Sequence, residues 1–205
     1  MSTPSPARLT REEVLFRRAQ EADRPTIEYI ASKTWDGDDY LAEIFDQWLA
    51  DDTGAFNVMT YRDAVVATSK LTRMGDGEWW MEGLRVHPDY QGRGLARIMH
   101  HYIVNQARQM GNNGIVRFAT SSENTAVHRL ANETGFQLTI DFARLYASAT
   151  PQPTTWRKME TQDFDTIYQW LDANPYFQRL ERSFESRWRL KIATPEVVLQ
   201  ALSEG

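Results

Sequence analysis

Residues 84–96 constrain this chain more than any other stretch. The segment runs Leu84, Arg85, Val86, His87, Pro88, Asp89, Tyr90, Gln91, Gly92, Arg93, Gly94, Leu95, Ala96. An apolar strand ends at the proline, a glycine-rich turn follows, and a helix begins directly after it. Such a turn leaves consecutive backbone N–H groups free at a helix N-terminus, where they and the helix dipole attract an anion, most often phosphate. Gly92 and Gly94 let the backbone approach a ligand closely and tolerate positive φ. Arg93 and Arg97 add cationic reach. A P-loop would need Gly-Lys-Ser/Thr, which is absent here. A dinucleotide fingerprint would need a third glycine at position 97, which is Arg97.

The flanking pattern alternates strand and helix. Residues 14–19 read as a short strand and 23–33 as a helix, with Asp23 as N-cap and Pro25 in the first turn. A second helix is expected over 39–50, where Leu41, Ile44, Phe45, Trp48 and Leu49 recur at three- and four-residue spacing. Strands 56–61 and 65–72 are joined through Arg62, Asp63 and Ala64, and strand 79–86 follows a turn at Gly75 and Gly77. Helix 95–110 carries an apolar stripe from Leu95 to Met110 and stops at Gly111. A buried strand over 115–120, a helix over 123–133 capped by Ser121 or Ser122, and a closing strand over 136–146 complete an α/β (α+β) domain with a mixed sheet.

Composition narrows the function. Cysteine is absent from the 205 residues, which excludes disulfides, thiolate nucleophiles and Cys-ligated zinc. The formal charge of -5 argues against a dedicated nucleic-acid binder. No apolar run reaches the length of a membrane span, and residues 1–11 carry no apolar leader and read as a disordered lead-in. A cytoplasmic protein is expected. Charge is segregated: Lys33 to Arg62 encloses acids only, whereas Arg85, Arg93, Arg97, Arg108 and Arg117 face Asp89 alone. Each stretch is either a solvated surface or the neighbourhood of a ligand of opposite charge.

The domain is expected over 12–148, followed by a linker over 149–155. Residues 156–205 echo the start of the chain. Phe16 to Asp23 can be laid over Trp156 to Asp163, and Thr26-Ile27 over Thr166-Ile167, at a constant offset of 140. The segment reads as a partial second copy of the same fold or a dimerisation arm, so a homodimer through it is one expectation. Its many large apolar side chains imply that it is folded and packed.

Gln91, Gly92, Arg93, Gly94, Leu95 and Ala96 together resemble the Gln/Arg-x-x-Gly-x-Gly/Ala signature of the GNAT N-acetyltransferase superfamily. Glu82 to Val86 and Pro88 resemble that family's fourth strand, and Asn124 with Gly135 and Phe136 resembles a second family pattern. The resemblance implies a GNAT fold with splayed fourth and fifth strands. It further implies acetyl-CoA as co-substrate without a metal, and a small-molecule amine or amino acid as acceptor. A finer likeness, at Trp35 to Leu41 and Gln47 to Leu49, is to the histidine N-acetyltransferase branch.

By the same resemblance, Gln91, Gly92, Arg93, Gly94, Leu95 and Ala96 would hold the pyrophosphate. The backbones of Leu84 and Val86 would hold the pantetheine arm, which Asn124 would contact unless it only caps its helix. Glu82 is the candidate base, on the expectation that it shares a strand face with Leu84 and Val86; the other reading is a structural carboxylate. Strand alternation puts Arg85 on the opposite face, either as a surface charge or as a neighbour of the phosphates. His87 reads as a turn residue. Trp35, Asp36, Asp38 and Tyr40 would line the acceptor site, or the acids would only cap and solvate a loop. Many family members carry a tyrosine where this chain has Ala131, so no general acid is assigned. Alternatives are a protein N-terminal or lysine acetyltransferase, and a non-catalytic acyl-CoA-binding module.

Overall fold

The computed structural model describes residues 6–111, 114–143, 147–148, 155, 157–186 and 189–204. They fall into two units, Met1–Phe136 and Gln137–Gly205. The first unit contains, in chain order, β1 (Leu15–Arg18), α1 (Arg24–Ser32), α2 (Leu41–Ala50), β2 (Ala55–Tyr61), β3 (Ala64–Gly75), β4 (Glu78–Val86), α3 (Leu95–Gly111), β5 (Ile115–Arg117) and α4 (Thr125–Glu133). The strands form one sheet in sequence order, antiparallel except for the parallel β4–β5 pair. The mixed α/β architecture is the one expected from the alternation of periods.

Each face of the sheet buries its own core. Leu95, Met99, Ile103, Val104 and Ala107 of α3 cover Met59, Val66, Leu71, Trp79 and Met81. Ile27 and Ala31 of α1 join Leu41, Phe45 and Trp48 of α2 over Phe56, Val58 and Val65. The apolar stripes of α2 and α3 are therefore core faces, although Met110 at the end of the second stripe is exposed. The β2–β3 turn is tighter than the sequence implied. Arg62 and Asp63 take φ 48° and 66°, the left-handed pair that suits the twist of a two-residue hairpin.

Strand β4 carries the feature that positions the site. Lys70 pairs with Glu82 and Thr68 with Arg85, so three steps on β4 oppose two on β3. The extra residue sits at Gly83, whose φ is 63° and whose Cβ, if it had one, would stand 2.5 Å from the Trp48 ring. This β-bulge reverses the alternation of side chains. Met81, Leu84 and Val86 all pack towards the α3 core. Glu82 bonds Thr72, and Arg85 bonds Asp39 beside α2, on the other face. The expectation that Glu82 shares a face with Leu84 and Val86 is corrected: simple alternation fails wherever a strand carries an extra residue.

Strand β5 pairs only with Glu78, Trp79 and Trp80. From Met81 to Val86 the β5-side edge of β4 has no strand partner among the described residues, because β5 ends at Arg117. Ile115 is exposed, so β5 is shorter and less buried than expected. The closing strand expected over 136–146 is not formed in residues 136–143, and residues 144–146 lie outside the described residues. Asn124, rather than Ser121 or Ser122, caps α4 by accepting from the Val127 N–H at 3.3 Å.

The expected lead-in is ordered where it is described. The Leu9 N–H donates to the Arg93 carbonyl at 3.0 Å, and the Leu9 side chain packs against the α3 core.

The second unit contains α5 (Phe164–Ala173), α6 (Pro175–Arg179), the antiparallel hairpin β6 (Ser183–Ser186) and β7 (Arg189–Ile192), and α7 (Pro195–Glu204). Phe177, Ala193 and Val198 form its small core, with Phe164, Ile167, Leu171 and Phe184 against them. The two segments expected to match share one local hydrogen-bond pattern. Arg17 holds Asp23 through two bonds of 2.6 and 2.7 Å, and the Gln20 N–H donates to the same carboxylate at 2.8 Å. At the offset of 140, Arg157 holds Asp163 at 2.6 and 2.6 Å, and the Glu160 N–H donates at 2.9 Å. In both copies the carboxylate braces the turn that starts a helix instead of capping the helix itself. Trp156, Trp188 and most of the expected linker lie outside the described residues.

Candidate active site

The glycine turn and the C-terminal half of β4 enclose an open groove of about 350 Å³. It is lined by Leu84, Arg85, Val86, Gln91, Gly92, Gly94, Leu95 and Ala96, together with Lys33, Thr34 and Tyr90. Gly92 and Gly94 take φ 75° and 82°, and a Cβ at Gly94 would meet nothing within 4 Å. The turn thus leaves open space in front of the first turn of α3. There the N–H groups of Leu95, Ala96 and Arg97 precede the first intrahelical bonds. Arg93 Nε is buried and has no hydrogen-bond partner among the described residues. The cradle of N–H groups fits a phosphate-bearing ligand, whereas Arg93, expected among the ligand-holding residues, is not one of those that line the groove.

Glu82 lies one bulge behind the groove. Thr72 Oγ1 donates to its Oε1 at 2.6 Å. Across the strand pair stands Lys70, whose side chain is 1% exposed and which is ion-paired with Asp51. Burial pulls the Lys70 ammonium below its usual range, while Asp51 and Glu82 pull it back up. Burial raises the Asp51 carboxyl, but its bonds from Lys70 and Thr53 outweigh that and bring it down to about 2. Glu82 therefore sits in a hydrogen-bonded polar pocket within the α2 face.

Arg85 is not a surface charge. Its Nε donates to Asp39 Oδ2 at 2.7 Å and its Nη1 to the Leu84 carbonyl at 3.0 Å. Its guanidinium carbon lies 4.3 Å from the Trp35 ring centroid and 5.8 Å from that of Tyr40. Trp35 and Tyr40 are thus brought together beside the groove, whereas Asp36 and Asp38 are exposed on the same loop. Two acids of the stretch are spent inside the fold, Asp39 on Arg85 and Asp51 on Lys70, while the exposed Asp46 pairs with Arg24 at the surface. His87 is the turn residue expected, its Nδ1 accepting from the Asp89 N–H at 3.2 Å.

Sequence reasoning missed Lys33, Thr34 and Tyr90 as groove residues and Gly83 as the origin of the bulge. Only Lys33, the last cation before the acidic stretch, offered a signal.

The model of the family described as "Acetyltransferase (GNAT) family" matches residues 19–136. No curated protein matches the chain. Among solved structures, a transcriptional regulator from Bacillus halodurans C-125 superposes with a TM-score of 0.53 at 16% identity, covering 65% of this chain and 99% of that one. AAC(6')-Iy, in complex with a CoA bisubstrate analogue, gives 0.52 at 17% identity, covering 66% and 99%. The ribosomal-protein-S18-alanine N-acetyltransferase from Escherichia coli gives 0.52 at 15% identity, covering 60% and 76%. At these identities the likeness is one of fold.

Proposed function

This chain belongs to the GNAT family of acetyltransferases, and on that footing we propose that it moves the acetyl group of acetyl-CoA to the amine of a small molecule or amino acid by direct attack. The observation that carries the reading is the groove, where the edge of β4 that lacks a strand partner among the described residues runs into the Gly92–Gly94 turn. A likeness of fold to AAC(6')-Iy, which binds a CoA bisubstrate analogue, supports it.

The residues fit the cofactor. Gln91, Gly92, Gly94, Leu95 and Ala96 would take the pyrophosphate. The backbone edge at Leu84 and Val86, which has no strand partner among the described residues and whose carbonyls accept from Arg85 Nη1 and Gln91 Nε2, would hold the extended arm. When bound, acetyl-CoA supplies a thioester activated towards amines. The remaining work falls to the chain. An α-amino group has a pKa of about 8, so removing its proton near neutrality favours attack. Glu82 would take that proton, with Thr72 holding its Oε1 in place. An N–H near Leu84 would face the developing oxyanion. Trp35 and Tyr40 would flank the acceptor. Asn124 caps its helix and keeps a side-chain N–H₂ for the pantetheine. The second unit, with its repeated Arg157–Asp163 brace, is read as a partial second copy of the fold that can serve as a dimer arm.

Thiol release from acetyl-CoA, measured over a panel of amino acids including histidine, aminoglycosides and short peptides, tests the reading. Turnover with small amines is expected. Turnover confined to peptides moves the assignment to the protein acetyltransferases, and binding without turnover makes the chain an acyl-CoA-binding module.

A further inference from the structure

The Arg85–Asp39 pair joins the middle of the sheet to the loop between α1 and α2, and its construction exceeds what holding that loop requires. The Asp39 carboxylate is fully enclosed, with 0% exposure, and its Oδ1 also accepts from the Leu41 N–H at 3.2 Å. The edge of the guanidinium is taken up by Asp39 and the Leu84 carbonyl, which leaves its flat face for the indole of Trp35 at 4.3 Å. That indole is 61% exposed. It is not held there for burial.

The backbone beneath it is also unusual. Trp35 and Asp36 take φ 48° and 58°, a left-handed conformation that a bulky residue keeps only where its surroundings impose it. Leu84 and Arg85 line the groove at the same time. One ion pair therefore touches the wall of the cofactor groove on one side and fixes an exposed aromatic ring on the other.

We propose that Arg85 and Asp39 are a positioning pair for the acceptor: they hold Trp35 as an aromatic wall beside the groove and take no part in proton transfer. Because Asp39 neutralises Arg85, the wall offers the acceptor aromatic surface in place of charge. The proposal rests on the acetyltransferase reading above.

Steady-state kinetics with acetyl-CoA and the best amine of the panel test it, using Asp39→Asn, Trp35→Ala, Trp35→Phe and the double variant Asp39→Asn/Trp35→Ala. Asp39→Asn and Trp35→Ala should each raise the amine KM about tenfold, with kcat and the acetyl-CoA KM within about twofold of the parent. Trp35→Phe should restore most of the amine KM. The double variant should be no worse than the poorer single one, as for residues that act through each other. Trp35→Ala removes an exposed ring, so it keeps the test decisive even where Asp39→Asn does not fold. An unchanged amine KM in Trp35→Ala overturns the proposal, as does an acetyl-CoA KM that rises in parallel. No turnover of any amine by the parent protein overturns the acetyltransferase reading and this role with it, whereas turnover with an insensitive amine KM overturns the positioning role alone.

Discussion

His100 Nε2 and Thr134 Oγ1 lie 2.9 Å apart, and the threonine hydroxyl lies 2.8 Å from the Leu130 carbonyl. The Leu130 carbonyl, and the Ala131 carbonyl at 3.2 Å, can each take the hydroxyl proton, and the hydroxyl then accepts from His100 Nε2–H. The ring is 3% exposed and packs among Phe118 and Phe136. Burial, and then the nearby His101 charge, push its pKa down to about 4 against the partial opposition of Glu133. The unfolded chain takes up this proton near pH 6.5, and the folded chain does so only near 4. Between these values the unfolded state binds more protons, so stability is full above pH 6.5 and falls as pH drops towards 4, by at most roughly 3 kcal/mol. Urea unfolding at a series of pH values should show this loss, and His100→Gln should flatten it. An equal slope in both proteins would assign the loss to other groups.

Gly94→Val should weaken acetyl-CoA binding at least about tenfold, because the new side chain fills the open space in front of the α3 N-terminus and strains a left-handed position. Calorimetry gives the affinity, and circular dichroism should show the fold retained. Unchanged binding would place the cofactor elsewhere.

Glu82→Gln keeps the bond from Thr72 and removes the basicity. The kcat/KM for amines should fall by roughly two orders of magnitude, a usual general-base loss, while acetyl-CoA binding persists. Near-full activity across the pH range would make Glu82 a structural carboxylate.

Gly83→Ala should cost about 1–3 kcal/mol, because its methyl group meets the Trp48 ring and the residue must keep a left-handed φ. Thermal unfolding measures the loss. Tolerance of alanine would show that the bulge can relax into regular pairing.

Asp163→Asn should loosen the turn before α5 as Asp23→Asn loosens the one before α1, since both carboxylates brace the same bonds. Hydrogen exchange should report faster exchange at the Glu160 and Gln20 amides respectively. Only Asp23→Asn is expected to lower the melting temperature markedly, because Asp23 is buried within the larger unit. Unaltered exchange at Glu160 would deny the second turn its likeness to the first.

Much of this protein was legible in order along the chain because the relevant physics is short-range. The turn at Gly92 and Gly94 announces itself through local backbone freedom, and the spacing of apolar residues in α2 and α3 announces buried faces. The matching of residues 17–23 with 157–163 likewise needed nothing beyond seven neighbouring positions, and it returned as the same set of hydrogen bonds. The strand expected after Phe136 did not form in the residues described, because pairing depends on a partner edge that composition does not reveal.

The orientation of the candidate site was a tertiary matter. Whether Glu82 faces with Leu84 or with Arg85 turns on one extra residue at Gly83, and that residue is dictated by the Trp48 ring from α2 and by the register with β3. Arg85 came to stand against the Trp35 ring only because Asp39, far away in sequence, lies buried within its reach. Lys33 became a groove residue only because the end of α1 comes to rest beside β4. Sequence alone determined which segments could be strand, helix and anion-binding turn, since those are properties of consecutive residues. Which side chains meet across the bulge was decided by non-local packing, where a single displaced residue exchanges the two faces of a strand.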